Sequence, residues 1–574
     1  MAAILLTWAA QALLLVGLGG LALAWARPEY ARRPFTLLWM GYFAAIAFLQ
    51  AWHLFERVGA SATLALTGLA VAGLALRGHA ALAELRRLAT MHRGVLAASL
   101  LLAIWLANRA LGPPVGDAGL YHLSFIRWAV TYPLVPGIAN LHHRLGFNNP
   151  SLLWSAAMDV GPWSGRSSHV ANGVLLAAFG ARALLGLGRI VRSPREALPV
   201  DVFCAVLLPV VLGQGVSLLE LSLPSPEPDA VAGLAALAAA VHGVEELTDG
   251  SDARSQIGSF ATLALAMLAA CLKLSMAAFG LGVLATMLVR AGRRRLLGSR
   301  WLVATAAGGV LLVLPWLARS VVASGYPLFP LTAMSFPVDW RLPVEEVRRG
   351  AAFIHQHFMP PVAQRMRTPG ESWVRPWFVW NVTRLPELVM LPAGLSVVAL
   401  SLMRRHRGER SRGALLFVSP AAAAVVFWLA TAPHPRFGFP LLWTAAAALL
   451  TATTFDDLRS PCSRRRAVVL TLLLTAPLLP VVHRIAAWTW AGDRARAVRS
   501  LLLPAGPDHG FHPTPISRLT TRITRSGLAV YEPVDSDAVW DAPLPATPEF
   551  REDLMLRDGQ SLERGFRIER GPRP

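Results

Sequence analysis

Apolar residues along the chain gather into blocks of about 17–22 residues, separated by short polar or basic stretches. A block of that length crosses the ~30 Å hydrocarbon core of a bilayer as an α-helix. The blocks lack the two-residue alternation of membrane β-strands, so we expect an all-α polytopic membrane protein. Fourteen transmembrane helices are predicted, near residues 4–26, 36–55, 61–77, 94–111, 169–188, 199–219, 230–247, 257–274, 276–290, 301–318, 387–402, 414–430, 438–454 and 467–483.

The composition and the charge fit this interpretation. Of the 574 residues, 54% are hydrophobic and only 15% are charged, which excludes a soluble protein of this length. The net charge of +20 would suit a nucleic-acid ligand, but the arginines cluster in alternate loops. The positive-inside rule makes those loops cytoplasmic and both termini external. We therefore expect membrane lipids and no nucleic acid as partners. The three cysteines lie in or beside predicted spans and offer neither metal-site spacing nor a disulfide framework.

The predicted organisation has three parts. Residues 1–93 form N-terminal transmembrane helices, and residues 94–483 form a transmembrane core with two long outward loops, 112–168 and 319–386. Residues 484–574 form an outward C-terminal region, whose short alternating stretches and many prolines indicate a few strands packed on the outer face. A disordered tail is the alternative.

Loop 112–168 carries the first candidate site. It begins "GDAGLYHLSFIRW", where Asp117 stands alone among small residues, four positions before Tyr121 and five before His122. The apolar spacing after Asp117 predicts a helix lying on the membrane surface. Three of the six asparagines also fall in this loop, at Asn140, Asn148 and Asn149. Polar groups concentrated at one membrane face indicate a functional site; ordinary loop polarity is the alternative.

Lys273 is the second unusual residue. It is the only lysine among 54 basic side chains, and it stands in the apolar stretch "AMLAACLKLSMAAFG". An ionisable group inside a membrane segment indicates function because its burial is costly. The alternative is a lysine that extends from a helix end to the outer interface.

Two outward arginines are the third feature. Arg319 precedes "SVVASGYPLFP" and Arg436 lies in "APHPRFGFP", both against the positive-inside bias. A phosphate group suits the guanidinium fork, whereas a helix-end anchor or a lipid headgroup contact is the alternative. Asp229, in "SPEPDA", is predicted to be a helix N-cap.

These features together resemble the GT-C superfamily of membrane glycosyltransferases, which use polyprenyl-phosphate sugars. The protein mannosyltransferases and the lipid A aminoarabinose transferases are examples. Segment 319–331 is similar to the "RN…TGNP-YP" pattern of that superfamily, with Ser320 and Tyr326 as departures. The stretches "YHL…VPG…NLH-R-GFN", "SPEPD", "KLS", "PRF" and "WDAPLPATPEF" also look like those of a group of uncharacterised bacterial polytopic proteins. The acid follows the fourth predicted span rather than the first, so the first three spans are either an added module or a different register.

The resemblance implies a GT-C-like helix bundle in the bacterial cytoplasmic membrane, with its C-terminus periplasmic. It implies an inverting enzyme that transfers a sugar from a polyprenyl-phosphate donor to a glycan, lipid or protein acceptor of the cell envelope. Asp117 would act as general base or orient the acceptor, with helix capping as its alternative role. The sequence establishes no cofactor; if a divalent ion is used, Asp117 and Asp229 are its candidate ligands, and Asp159 and Glu227 could supplement them. The implied substrate-binding residues are Tyr121, His122, Arg127, His142, His143, Arg144, Asn148, Asn149, Asp229, Lys273, Arg319, Tyr326 and Arg436.

Two other function classes remain open at this point. A transporter or flippase of lipid-linked saccharides would use the same cationic groove without catalysis by the acid, and matched broken helices in two halves would favour it. A polymerase or ligase of lipid-linked glycans would use outward groups such as His355 and His357.

Overall fold

The structure, a computed structural model, is predominantly helical, as the apolar blocks predict. It describes residues 1–26, 33–216, 223–248, 252–296, 300–356, 372–384, 388–402, 413–459, 464–490, 511 and 514–569. Within those residues, nine helical segments are long and apolar enough to cross a membrane, and four shorter apolar segments accompany them. The membrane character is confirmed, while the count of about fourteen spans stays a prediction. His357, and parts of loop 319–386 and of region 484–574, lie outside the described residues.

The helices follow the apolar blocks closely, and most of the breaks fall at the predicted loops. In chain order they are α1 (Ala2–Ala22), α2 (Pro34–His53), α3 (Ala60–Met91), α4 (Arg93–Arg109), α5 (Leu123–Thr131), α6 (Ser151–Ala157), α7 (Ser168–Ala171), α8 (Gly173–Arg192), α9 (Pro199–Val206), α10 (Leu208–Gly215), α11 (Pro228–Thr248), α12 (Asp252–Leu272), α13 (Ala277–Leu296), α14 (Arg300–Ser324), α15 (Val344–Gln356), α16 (Val374–Arg384), α17 (Met390–Ser401), α18 (Val418–Thr431), α19 (Pro435–Arg459), α20 (Arg464–Thr475) and α21 (Leu479–Trp490).

Small residues bring the first helices into close contact. A Cβ atom at Gly17 of α1 would lie 2.3 Å from the carbonyl oxygen of Ala70 in α3. A Cβ at Gly73 of α3 would lie 1.9 Å from the carbonyl oxygen of Gly17. In a membrane, helices associate through such backbone contacts because lipid supplies no hydrophobic drive between them. Helices α1 and α3 are therefore tightly packed neighbours.

Loop 112–168 is folded into short helices rather than extended. A helix follows Asp117 as predicted, but its first turn, Ala118–His122, is a π-helix that continues into α5. Two short 3₁₀ helices, Ile138–Asn140 and His143–Phe147, come next. The wider π turn changes which side chains share a face over these residues.

The C-terminal region contains the strands that its alternating stretches predict. Strands β1 (Leu519–Ile523) and β2 (Ala529–Pro533) form an antiparallel pair with Thr521 opposite Tyr531. Strands β3 (Leu554–Leu556) and β4 (Phe566–Ile568) form a second antiparallel pair.

This region packs directly on loop 112–168. The backbone N–H of Trp540 donates to the carbonyl oxygen of Gly119 at 2.9 Å, and the N–H of Phe566 donates to Pro136 at 2.9 Å. A Cβ at Gly119 would lie 2.7 Å from Cε2 of the Trp540 indole. The described tail therefore covers the helix that follows Asp117.

Candidate functional site

Asp117 lies between α4 and the π-helix, at the position where a cap would stand. Its side chain makes no capping hydrogen bond. Instead, its Oδ2 accepts a hydrogen bond of 2.9 Å from an Nη2 of Arg436, the second residue of α19. Both side chains are largely buried, with 20% and 15% exposed. The capping alternative therefore does not account for the carboxylate, which is oriented by an ion pair with a residue more than three hundred positions away.

Arg436 also joins Asp117 to a second carboxylate. Its Nε lies 3.2 Å from Oδ2 of Asp229. Asp229 lies inside the first turn of α11 rather than at the N-cap predicted for it, and its side chain is 3% exposed. One guanidinium thus bridges two acids that come from separate outward segments of the sequence.

Lys273 completes the cluster at a break between helices. It has an extended backbone between α12 and a short 3₁₀ helix, Leu274–Met276, so the membrane segment is interrupted there. Its ammonium donates a hydrogen bond to Oδ1 of Asp229. The same ammonium lies 3.8 Å from the centroid of the Phe437 ring, close enough for a cation–π contact. The lone lysine therefore lies at a helix end with its ammonium in the charged cluster, and 27% of its side chain is exposed.

A second layer of buried polar groups lies beside Asp117. His122 is completely buried, and its Nδ1 lies 3.8 Å from Oε1 of Glu227, which is 1% exposed. The Tyr121 and His122 rings are 4.3 Å apart between centroids. Asp117, His122 and Glu227 each bring one ligand-type atom within 4.8 Å of the others. If a divalent ion binds here, these three residues are a set of candidate ligands, whereas Asp229 is held by two cations.

Local backbone contacts bring these segments together. The Ser225 hydroxyl accepts a hydrogen bond of 2.8 Å from the N–H of Val115 and donates one of 3.2 Å to its carbonyl oxygen. This pairing holds the residues before Asp117 against the segment that leads into α11. The positions of Asp117 and Glu227 are thus fixed by the backbone as well as by charge.

The protonation states follow from burial and from the neighbouring cations. Burial by itself raises the pKa of the Asp117 carboxyl, but the Arg436 guanidinium together with His122, Arg144 and Lys273 outweighs it, and the pKa falls from its usual 3.8 to about 2. Burial lowers the pKa of His122 to about 4, although Asp117 and Asp229 oppose this change. At neutral pH, Asp117 is therefore a carboxylate and His122 a neutral imidazole.

Three of the predicted substrate-binding residues form a separate buried network. Arg319 is fully buried, donates to Oδ1 of Asn148 at 2.9 Å and contacts Nδ1 of His53 at 2.5 Å. Asn148 also donates to the Trp316 carbonyl oxygen at 2.8 Å. The Tyr326 hydroxyl donates to the carbonyl oxygen of Leu342 at 2.9 Å. The contacts of the Arg319 guanidinium are thus with Asn148 and His53, whereas Lys273 and Arg436 both contact Asp229.

The remaining predicted residues lie along loop 112–168 and under the C-terminal region. Arg127 donates to Oδ1 of Asp541 at 2.8 Å, and Asn149 donates to the Tyr121 hydroxyl at 3.4 Å. Arg144 lies 5.7 Å from the centroid of the Phe353 ring. His142 and His143 lie beside Glu549 of the tail, with His143 Nδ1 3.1 Å from Glu549 Oε2. The histidine pair therefore forms a second cluster, apart from the ion pairs of Asp117.

A large apolar cavity lies at the opposite end of the bundle. Its volume is about 810 Å³, and its walls include the C-terminal part of α11 and the N-terminal part of α4. Asp117 follows the C-terminal end of α4, whereas Asp229 lies in the first turn of α11. The cavity therefore lies at the end of these helices that is remote from the charged cluster.

Comparison with known proteins identifies a family but not an activity. Residues 1–443 match the family described as "Domain of unknown function (DUF8201)". The chain belongs to the DUF8201 family. The matched residues include all four members of the ion-pair cluster and exclude Glu549. No curated protein and no solved structure matches the chain.

Two contributors to the DUF8201 site were not predicted from the sequence as site residues. Phe437 lies between the two cations, 3.8 Å from Lys273 Nζ and 5.0 Å from Arg436 Cζ, measured to the ring centroid. Glu549 reaches His143 from the tail. Both lie in stretches already notable in the sequence, "PRF" and "ATPEF", but nothing in those stretches specifies their partners.

Proposed function

We propose that the chain is an inverting membrane glycosyltransferase that uses a polyprenyl-phosphate sugar as donor. It works at the outer face of the bacterial cytoplasmic membrane, with a periplasmic C-terminus. The observation that carries the proposal is the buried cluster of Asp117, Arg436, Asp229 and Lys273, in which two carboxylates lie beside two cations. Sugar transfer from a lipid phosphate needs that combination, a base for the acceptor and positive charge for the leaving group.

The reaction assigns one role to each charge. The acceptor hydroxyl oxygen attacks the anomeric carbon of the donor while the bond from that carbon to the phosphate oxygen breaks. The hydroxyl proton passes to the Asp117 carboxylate. The leaving polyprenyl phosphate gains one negative charge, which Arg436 and Lys273 neutralise. A preorganised cation stabilises such developing charge strongly in a site that excludes water.

The ion pairs also give an order of events. With a pKa of about 2, Asp117 is a weak base while Arg436 is paired with it. A bound phosphate competes for the guanidinium, because phosphate and carboxylate both accept from its fork. Loss of that partner raises the pKa of the buried carboxyl towards the range in which a general base works at neutral pH. Donor binding therefore activates the base.

The Asp117→Asn variant tests the proposal. Asparagine keeps an oxygen to accept from Arg436 but cannot take the proton, so transfer should fall roughly 10²–10⁴-fold. Folding and polyprenyl-phosphate binding should change little. The measurement is sugar transfer in proteoliposomes from a panel of radiolabelled polyprenyl-phosphate sugars to bacterial envelope extracts. Native mass spectrometry measures the bound lipid.

Asp535→Asn is the matched control, because Asp535 is an exposed tail carboxylate paired with Arg518. This control should transfer sugar at the wild-type rate. Near-normal transfer by Asp117→Asn would remove the carboxylate from catalysis. Movement of lipid-linked saccharide across the vesicle membrane without a covalent product would favour the transporter instead.

A further inference from the structure

A second cluster of chemically capable side chains lies between loop 112–168 and the tail. His142 and His143 come from the loop, and Glu549 comes from the segment between β2 and β3. Each offers one ligand-type atom, and these atoms all lie within 4.8 Å of one another. Two imidazoles and one carboxylate form a set of ligands that is common around catalytic zinc and non-haem iron.

The local backbone brings the two neighbouring histidines together. His142 has an extended backbone, with φ −150° and ψ 116°, and the 3₁₀ helix begins at His143. Glycine at position 350 leaves room for the second ring, because a Cβ there would lie 3.2 Å from Cδ2 of His143. On the tail, the Thr547 hydroxyl accepts a hydrogen bond of 3.1 Å from the N–H of Glu549. The local backbone of all three residues is thus defined by the structure around it.

Hydrogen bonding within the protein uses only one pair of the ligand-type atoms of this cluster. His143 Nδ1 and Glu549 Oε2 are 3.1 Å apart. Among the described residues, no hydrogen-bond partner contacts the buried Nδ1 of His142 or the buried Nε2 of His143. His142 is only 2% exposed. A polar atom buried without a partner costs free energy, and a metal ion is a partner that satisfies an imidazole nitrogen.

The distances suit a small divalent ion. Zinc binds imidazole nitrogen at about 2.0–2.1 Å and carboxylate oxygen at about 2.0–2.2 Å, so tetrahedral ligand atoms lie ~3.3 Å apart. The pair formed by His143 and Glu549 is already at 3.1 Å. The remaining separations are at most 4.8 Å, so a side-chain movement of about 1.5 Å brings all three atoms to ligand distance.

We propose that His142, His143 and Glu549 bind one divalent transition-metal ion of the zinc class. Three protein ligands leave a fourth position open. His143 and Glu549 line a cavity of about 420 Å³ together with Asn140, Arg349 and Arg551, so a further ligand would have access to the ion from there. The ion would also connect the tail to the loop that carries Asp117. This inference does not depend on the sugar-transfer reaction.

Metal binding is tested on the full chain, purified in detergent with an affinity tag that contains no histidine. The protein is stripped with a chelator and dialysed against buffered Zn²⁺ or Co²⁺. Inductively coupled plasma mass spectrometry should find a single ion per chain, and Co²⁺ should give the visible absorption bands of a low-coordinate site. Glu549→Gln and His143→Gln should each weaken binding by at least about tenfold. The metal should also slow proteolysis of residues 514–569.

Two controls locate the ion. His79→Gln and Glu552→Gln alter a histidine on α3 and an exposed tail carboxylate, and should bind like the wild type. Asp117→Asn should keep its metal. A wild-type chain that holds no ion after dialysis would overturn the proposal. So would binding that survives Glu549→Gln but is lost in Asp117→Asn, because the ion would then occupy the cluster of Asp117, His122 and Glu227.

Discussion

Asp229 is the residue on which the two cations of the site depend. One of its carboxylate oxygens accepts from Lys273 and the other lies 3.2 Å from Arg436. The side chain is 3% exposed, so these two contacts replace the water that the carboxylate would otherwise bind. Removing one partner of a buried charge pair is costly because the other is left uncompensated. Asp229 therefore holds both cations in position, where the proposed donor phosphate would meet them.

Replacing Lys273 with methionine should weaken polyprenyl-phosphate binding about 10–100-fold, since a charge-assisted hydrogen bond contributes ~1.5–3 kcal/mol. Lys273→Arg should recover part of the affinity, because the charge returns but the planar fork fits the space over Phe437 less well than a compact ammonium. Binding is measured by titration with a fluorescent polyprenyl phosphate.

Arg348→Met is the control for Lys273→Met, because Arg348 is an exposed cation of α15 paired with Glu345. Its affinity should stay at the wild-type value. Unchanged affinity in a correctly folded Lys273→Met variant would show that the lysine serves the bundle and not the ligand.

At the scale of elements, the π-helix Ala118–His122 is the feature that the tail recognises. The carbonyl oxygen of its Gly119 accepts the Trp540 N–H at 2.9 Å, and the absence of a side chain at Gly119 lets the indole approach. Residues of the tail therefore fix the turn that begins one residue after Asp117.

Gly119→Ala should release this contact, because its Cβ would lie 2.7 Å from Trp540 Cε2. We expect a loss of about 1–3 kcal/mol from overpacking, faster proteolysis of residues 514–569 and reduced sugar transfer. Limited proteolysis with mass spectrometry measures the release.

The double variant Gly119→Ala, Trp540→Phe makes room for the new methyl group and should recover part of the protection. Gly59→Ala, where a Cβ meets nothing within 4 Å, should resemble the wild type. Equal proteolysis of Gly119→Ala and wild type would mean that the tail is held elsewhere.

Sequence patterns predicted which residues are unusual but not their partners. Asp117, Lys273 and Arg436 were each notable on their own, as a lone acid, the only lysine and an outward arginine, and the structure brings them together. Arg319 is also an outward arginine and was therefore also expected to suit a phosphate. Its guanidinium instead contacts the Asn148 amide and the His53 imidazole. Charge bias indicates that a buried group needs a partner; only the tertiary fold determines whether that partner is a carboxylate, an amide or a ligand.

The positions of the long helices were predicted well from the sequence, whereas the exact turn geometry of the short helices was not. The apolar blocks gave nearly all the long helices within a few residues, because lipid requires both length and apolarity of a spanning helix. The π turn at Ala118–His122 leaves no such signal, since it adds one residue to an otherwise helical pattern. The strands of the tail followed from alternation, whereas their docking on Gly119 and Pro136 did not.

At the scale of the whole molecule, the ends of four helices meet at the charged cluster. Asp117 follows the end of α4, Lys273 follows the end of α12, Asp229 begins α11 and Arg436 begins α19. Under the predicted topology these are the external ends, while the arginine-rich loops lie on the cytoplasmic side.

The topology predicts that green fluorescent protein fused after residue 574 is dark and that alkaline phosphatase fused there is active. The same reporters fused after residue 405, in the arginine-rich loop "RRHRGERSR", should give the opposite result. Fluorescence and phosphatase activity of intact bacteria measure this. Bright fluorescence at 574 would show that the span count is wrong by one, which moves the C-terminus to the cytoplasm.

The bond between Trp540 and Gly119 also has a consequence for biosynthesis. Gly119 leaves the ribosome more than four hundred residues before its partner, and every span between them must enter the bilayer first. The turn after Asp117 thus reaches its final form only after the tail is synthesised and, under the predicted topology, exported. A partly made chain that already holds Asp117, Lys273 and Arg436 in the membrane would therefore stay inactive until translation ends.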